Sequence, residues 1–207
     1  MASKKTLRIG LLINKIFLGI ILIALIVFIG AFVFSSMKKQ LPVLGDPGHT
    51  IGKFSFTDQD GKMITNKDVD GKIRIAEYFF TTCKGICPVM NNNLQQVQDA
   101  FKDRSDFIIL SHTVDPDIDN PAVLKSYAER MHYIPGKWEF LMGDKYALYK
   151  MAQQDYLLSA DTTSNADNTF VHTQYITLVD KQNRIRGFYD ATDKEAIKKL
   201  IGDIKSL

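Results

Sequence analysis

The chain has 207 residues, 45% of them hydrophobic, enough to bury one full core and too few for a second of equal size. Its net charge of +3 does not make it a basic protein: Lys4, Lys5, Arg8, Lys15, Lys38 and Lys39 flank one apolar run, and setting these six aside from 26 basic residues leaves 20 against 23 acidic ones, a net −3 for the remainder. A mildly acidic domain without a basic stripe offers no footprint for a phosphate backbone, so no nucleic-acid partner is expected.

The run from Ile16 to Phe34, IFLGIILIALIVFIGAFVF, carries no charge and is long enough to cross a bilayer as a single helix. It ends in bulky Phe32, Val33 and Phe34 followed by Lys38 and Lys39, with no small-residue cleavage site, so it reads as an uncleaved transmembrane helix and membrane anchor. Four basic residues precede it and two follow, which keeps residues 1–15 in the cytoplasm and exports the rest. The first fifteen residues lack a long Arg- and Ser-rich amphipathic stretch, which points to a bacterial inner membrane with the soluble domain on the periplasmic side.

Residues 35–50 hold Pro42, Gly45, Pro47 and Gly48 with no helical or strand period and read as a linker. The globular domain is expected from Ile51 to Leu207. Phe54 and Phe56 alternate with polar residues up to Asp60-Gly61, and Lys62-Met63-Ile64 follows, predicting a short hairpin. Ile73 to Phe80 is a β-rich apolar run, after which Val89, Met90, Leu94, Val97 and Phe101 recur at helical spacing. Phe107 to Val114 predicts a buried strand, and Asp119-Asn120-Pro121 a helix start for the segment through Met131. Lys137 to Met142 predicts a strand, and Asp144 precedes a helix carrying Leu148 and Met151. Leu158 to Thr169 is polar and irregular. Val171 to Val179 and Arg184 to Tyr189 form a predicted hairpin about Asp180–Asn183, and Ala196, Ile197, Leu200, Ile201 and Ile204 mark one face of a last helix. Alternating strands and helices that finish in a hairpin and a helix predict an α/β fold, a mixed sheet flanked by helices, with the thioredoxin-like arrangement among the candidates. Met63, Met90, Met131, Met142, Met151 and Trp138 read as packing residues.

The only two cysteines, Cys83 and Cys87, sit where the first long strand gives way to a helix, just beyond a strand's carboxyl end, where α/β sheets gather functional groups. A bridge between residues four apart would constrain the unfolded chain very little, so chemistry explains the pair better than stability. In a helical turn the two sulfurs would share one face, and a helix N-terminus favours the thiolate, the form that binds metal and attacks disulfides. Two soft sulfurs suit Cu(I), whereas structural zinc normally takes four Cys or His ligands. Of four histidines, His49 in the linker and His132 at a helix end have no clear route to Cys83. His112, after the strand Phe107 to Leu110, and His172, where the polar loop enters a strand, are rivals for a third, imidazole ligand.

The segments YFFTTCKGICPVM, HTVDPDIDNP and FVHTQYITLVDKQNRIRG resemble the Sco family of copper chaperones, whose pattern is Cys-x-x-x-Cys-Pro after a Phe-rich strand with a distant histidine before another strand. The resemblance covers Ile51 to Leu207. Lys84-Gly85 replaces the Pro-Asp or Pro-Thr common between the cysteines, and Val171 stands where an acidic residue often precedes the histidine. The resemblance implies a thioredoxin-like fold and Cys83, Cys87 and His172 as copper ligands. It also implies a task without enzyme chemistry: a metallochaperone that delivers Cu(I) to the cytochrome c oxidase subunit carrying the binuclear copper site. Binding of Cu(II) is left open. Two other classes stay open beside it: a thiol-disulfide oxidoreductase acting on cysteines of exported proteins through a Cys83–Cys87 redox disulfide, and a copper or redox sensor. The peroxiredoxin pattern Pro-x-x-x-Thr-x-x-Cys is not reproduced by Ala76 to Cys83.

Overall fold

The protein, seen here in a computed structural model, is described at residues 15, 17–30, 40–158 and 173–207. It divides into two compact units, Met1–Gln40 and Leu41–Leu207. In the first, residues 15 and 17–30 are helical, with Phe17, Leu18, Leu22 and Phe28 exposed. Among the described residues no helix is long and apolar enough to cross a membrane; Ile16 and residues 31–34 of the predicted span lie outside them.

The second unit opens with a hairpin, β1 (Ser55–Thr57) and β2 (Met63–Thr65), in which Phe56 pairs with Ile64 and both side chains are buried. The turn forms because Asp58 accepts from the backbone N–H of Asp60 and Lys62, each at 2.8 Å, and because Gly61 takes φ 78, a left-handed value that a β-carbon would oppose. Thr65 and Asp68 then close a capping box on the short helix α1 (Asn66–Val69).

The main sheet has five strands in the order β5-β4-β3-β6-β7. Its central strand β3 (Ile73–Phe79) is buried at all seven positions, the reason its sequence runs apolar without clean alternation. It pairs in parallel with β4 (Phe107–Thr113), and β4 likewise with β5 (Trp138–Leu141). On the other side β6 (Tyr175–Val179) runs antiparallel to β3 and joins β7 (Ile185–Asp190) through the Asp180–Asn183 turn. Helices α2 (Ile86–Phe101), α3 (Pro121–Arg130) and α5 (Lys194–Lys205) share a core with Ile73, Ile75, Phe79, Phe107 and Ile109 on one face. The hairpin, α1 and helix α4 (Lys145–Lys150), which continues as a π-turn Met151–Asp155, share a second core with Ala76, Tyr78, Ile108 and Leu110 on the other. The predicted caps are present: Asn120 accepts from Val123 N at 3.1 Å and Asp144 from Ala147 N at 2.8 Å.

Three expectations need correction. The stretch read as a linker is only partly one: the compact unit begins at Leu41, ten residues before Ile51. Leu41 is buried, Leu44 N donates to Ile185 O at 2.9 Å, and the Arg186 guanidinium bonds the carbonyls of Leu41 and Pro42. The edge strand β7 offers unpaired backbone groups, and an aperiodic segment can satisfy them without any signature in its own residues. The strand expected from Val171 begins at Tyr175, residues 159–172 lying outside the described set. Met63, read as a packing residue, is 54% exposed on the hairpin, whereas Met90, Met151 and Trp138 are buried.

Candidate functional site

β3 ends at Phe79, and the chain turns at once, with Cys83 N donating to Phe80 O at 3.2 Å. Helix α2 starts only at Ile86, so Cys83 precedes the helix and Cys87 is its second residue. The two thiols therefore do not share a helix face, as helical spacing suggested; the turn folds Cys83 back over the helix start. Pro88 follows inside the first helical turn, where its missing N–H costs no hydrogen bond. Phe80, Thr82, Cys83, Lys84, Gly85 and Ile86 line an open depression of about 490 Å³.

The cysteines are chemically unequal. Cys83 is half-buried and Cys87 only 3% exposed. Burial alone would push the Cys83 thiol up, but a hydrogen bond from the Cys87 thiol and the backbone N–H groups of Cys87, Gly85 and Ile86 outweigh it and bring it below the usual thiol range. Burial and the hydrogen bond given to Cys83, with the charges of Cys83 and Glu77 adding to them, hold Cys87 well above that range. The pair is thus a half-buried, more acidic thiol backed by a buried one that can join it once a metal replaces the proton.

Beneath it lies a polar network on the same face of the sheet. Glu77 is fully buried in β3, and burial, opposed by a hydrogen bond with Ser111, pushes its carboxyl up to about 8. Trp138 Nε1 donates to Ser111 Oγ at 2.7 Å. Asn91, on α2, fits the network in two amide orientations. With Nδ2 donating to the Tyr127 hydroxyl at 2.6 Å, its oxygen faces a protonated Glu77. Turned over, Nδ2 donates to Glu77 Oε1 at 2.6 Å while the Tyr127 hydroxyl donates to Asn91 Oδ1 at 2.6 Å. The amide orientation and the proton on Glu77 go together. The sequence reading missed this network, although a charged Glu77 inside IRIAEYFF was its visible signal.

The structure brings Cys83 and Cys87 together and takes His112 away from them. His112 stacks on Tyr78 at 4.9 Å and packs against Phe56 and Tyr156, on the sheet face opposite α2. Its Nδ1 faces Glu77 O at 3.3 Å, and burial lowers its ring to about 4, so it stays neutral. His49 bonds Asp155 O through Nε2 at 2.8 Å, and His132 ends α3 in a left-handed conformation, φ 50. His172 lies outside the described residues, among which no group of three or more His, Cys, Asp or Glu side chains is placed to hold a metal.

The SCO1/SenC family model matches residues 44–207. The chain is 27% identical over 164 residues to the SCO1 protein homolog of Bacillus subtilis, a match spanning 78% of this chain and 84% of that protein. Among solved structures it is similar to BsSco, described as a member of the Sco family of cytochrome c oxidase assembly proteins with a disulfide switch. The TM-score is 0.65 at 26% identity, over 80% of this chain and 97% of BsSco. It is also similar to ScoI of Bradyrhizobium japonicum with copper bound, with a TM-score of 0.59 at 28% identity, over 75% of this chain and 98% of ScoI. With its thioredoxin-like α/β fold and its cysteine pair at the β3–α2 junction, the chain belongs to the SCO1/SenC family.

Proposed function

We propose that this chain is a membrane-anchored Cu(I) metallochaperone that passes copper to the binuclear copper site of a cytochrome c oxidase subunit. The observation that carries the reading is the juxtaposition of two unequal thiols at a sheet's carboxyl edge, an accessible Cys83 and a buried Cys87. Two sulfurs are a fitting donor set for a soft, low-coordinate cation held for transfer. The copper-bound Bradyrhizobium relative and the membership of BsSco in a family of cytochrome c oxidase assembly proteins support it. His172 is the third ligand in this reading, the removal of His112 from the cysteine face leaving it without its rival. Copper moves by ligand exchange: each acceptor thiolate displaces one donor sulfur, the acceptor thiols give up their protons, and Cys83 and Cys87 regain theirs. The apolar run Ile16–Phe34 holds the chain in the inner membrane with residues 1–15 cytoplasmic and the domain periplasmic, where tethering raises its concentration near a membrane-bound acceptor.

One observation favours a second reading. A thiolate-leaning surface cysteine beside a buried partner is also the arrangement for thiol-disulfide exchange, with Cys83 attacking and Cys87 resolving, and BsSco is described as having a disulfide switch. The deciding experiment is Cu(I) stoichiometry and X-ray absorption on the reduced full chain in detergent, parent against His172→Ala and His112→Ala. The expected result is one Cu(I) with two sulfurs and one nitrogen, the nitrogen lost only in His172→Ala. Failure to retain Cu(I), together with a disulfide that cycles readily in glutathione buffers, would replace the chaperone by the reductase.

A further inference from the structure

Asp119 is fully buried, although it belongs to the loop that follows β4. Its carboxylate accepts from Thr81 N at 3.2 Å, from the Thr81 hydroxyl, and from Thr113 Oγ1 at 2.5 Å. Its own backbone N–H donates to Asp115 O at 2.9 Å, and Thr113 Oγ1 accepts from Asp115 N at 3.0 Å. One carboxylate therefore ties together the end of β4, the loop DPDIDNP and the residue two before Cys83.

The topology makes such a tie necessary. Phe79 and Thr113 are in register on parallel β3 and β4, so the two chains leave the sheet side by side and part. Cys87 is held by the hydrogen bonds of α2, whereas Cys83 lies between strand and helix, anchored by the bond of its own N–H to Phe80 O. The Cys83 sulfur also accepts from the N–H groups of Gly85, Ile86 and Cys87, and Thr81 is the point at which this turn is tied to the neighbouring strand. An ionised carboxylate is acceptor-only and can take all three donors at once; an amide in its place has one acceptor oxygen and turns its N–H groups toward donors.

We propose that Asp119 is a positioning residue for the dithiol: by clamping Thr81 to Thr113 it holds the Cys83 sulfur where it can share a ligand with Cys87. This rests on the reading of Cys83 and Cys87 as the working pair. Removing the clamp leaves both sulfurs in the protein but lowers the concentration that each presents to the other. Cu(I) affinity and the equilibrium constant for forming the Cys83–Cys87 disulfide then fall together.

The test uses the full chain in detergent and measures two quantities: Cu(I) affinity by competition with a chromophoric chelator, and the disulfide equilibrium in glutathione buffers. Asp119→Asn and Thr81→Val should each lower both by about tenfold, the lower end of what an outer-shell change costs a metal site. Thr81→Ser, which keeps the hydroxyl, should match the parent. Asp180→Asn is the control for general destabilisation, because this buried carboxylate pairs with Arg184 and Arg186 in the β6–β7 turn, at the other end of β3 from Cys83. It should leave both quantities unchanged. Parent values for both quantities in Asp119→Asn, or equal losses in Asp180→Asn, would overturn the proposal. If Asp119→Asn does not fold, the comparison of Thr81→Val with Thr81→Ser decides in the same way. If the parent itself holds no Cu(I), the chaperone reading fails, and the disulfide equilibrium alone still decides the role of Asp119.

Discussion

Glu77→Gln is expected to remove a contribution to stability that falls with rising pH between about 4.5 and 8 in the metal-free, reduced domain. Glu77 is fully buried, and its carboxyl titrates at about 8 in the folded protein against an ordinary value of 4.5. The folded state thus keeps a proton that the unfolded chain releases, so the unfolded chain binds fewer protons over this window and stability falls as pH rises. The contribution is intact below 4.5, is lost progressively above it, and is gone once pH passes about 8. One unit of pH corresponds to about 1.4 kcal/mol, so roughly 3 kcal/mol is lost between the ordinary glutamate value and neutrality. The amide keeps the shape and an oxygen for Ser111, has no proton to lose, and removes this slope. Urea unfolding of residues 41–207 at several pH values from 4.5 to 8 measures it. His112, whose ring burial lowers from 6.5 to about 4, contributes a slope of opposite sign between those values, and Asp106 and Asp180, held below their ordinary 3.8, contribute theirs only in acid; all three are common to both proteins and cancel in the difference. Parallel profiles for the parent and Glu77→Gln would refute the reasoning and assign the titration elsewhere.

The inequality of the two thiols predicts that a short pulse of iodoacetamide at neutral pH labels Cys83 well before Cys87 in the reduced, metal-free protein. Peptide mapping by mass spectrometry reads the order, and equal labelling would contradict the burial and hydrogen bonding described. The docking of residues 41–50 predicts that a fragment starting at Ile51 is less stable than one starting at Leu41. The loss of the buried Leu41 side chain alone is worth about 2 kcal/mol. Equal denaturation midpoints would show that this segment behaves as the linker its composition suggests.

Much of this protein was legible in its residues. Hydrophobic period placed the strands and the longer helices of the domain within a few positions, because each such element must turn its apolar side to a core whatever its neighbours are, whereas the single-turn helix α1 is too short to show a period. Asn120 and Asp144 announced their caps, since a side chain that satisfies backbone two or three positions away acts locally, and Asp60-Gly61 announced the hairpin turn. The cysteine pair at the β3–α2 junction was visible for the same reason, its two members being four residues apart.

What only the tertiary structure decided involves groups distant in sequence. His112 looked like a rival ligand because strand ends converge on one edge; the parity of β4 sends its ring to the opposite face, and the phase of a fully buried strand shows only when both cores are in place. The inequality of Cys83 and Cys87 follows from burial and from N–H groups at the start of α2, a start set by where the turn after Phe80 finishes. Leu41 and Leu44 carry no sign of the β7 edge that receives them, 141 positions on in the case of Leu44 and Ile185. Glu77 and Asp119 are acidic residues like the other 21 until the sheet buries them, one under the dithiol and one between two parting chains. A sequence records which groups are available; burial and long-range partners, which set the energy of a charge, exist only after the chain has folded.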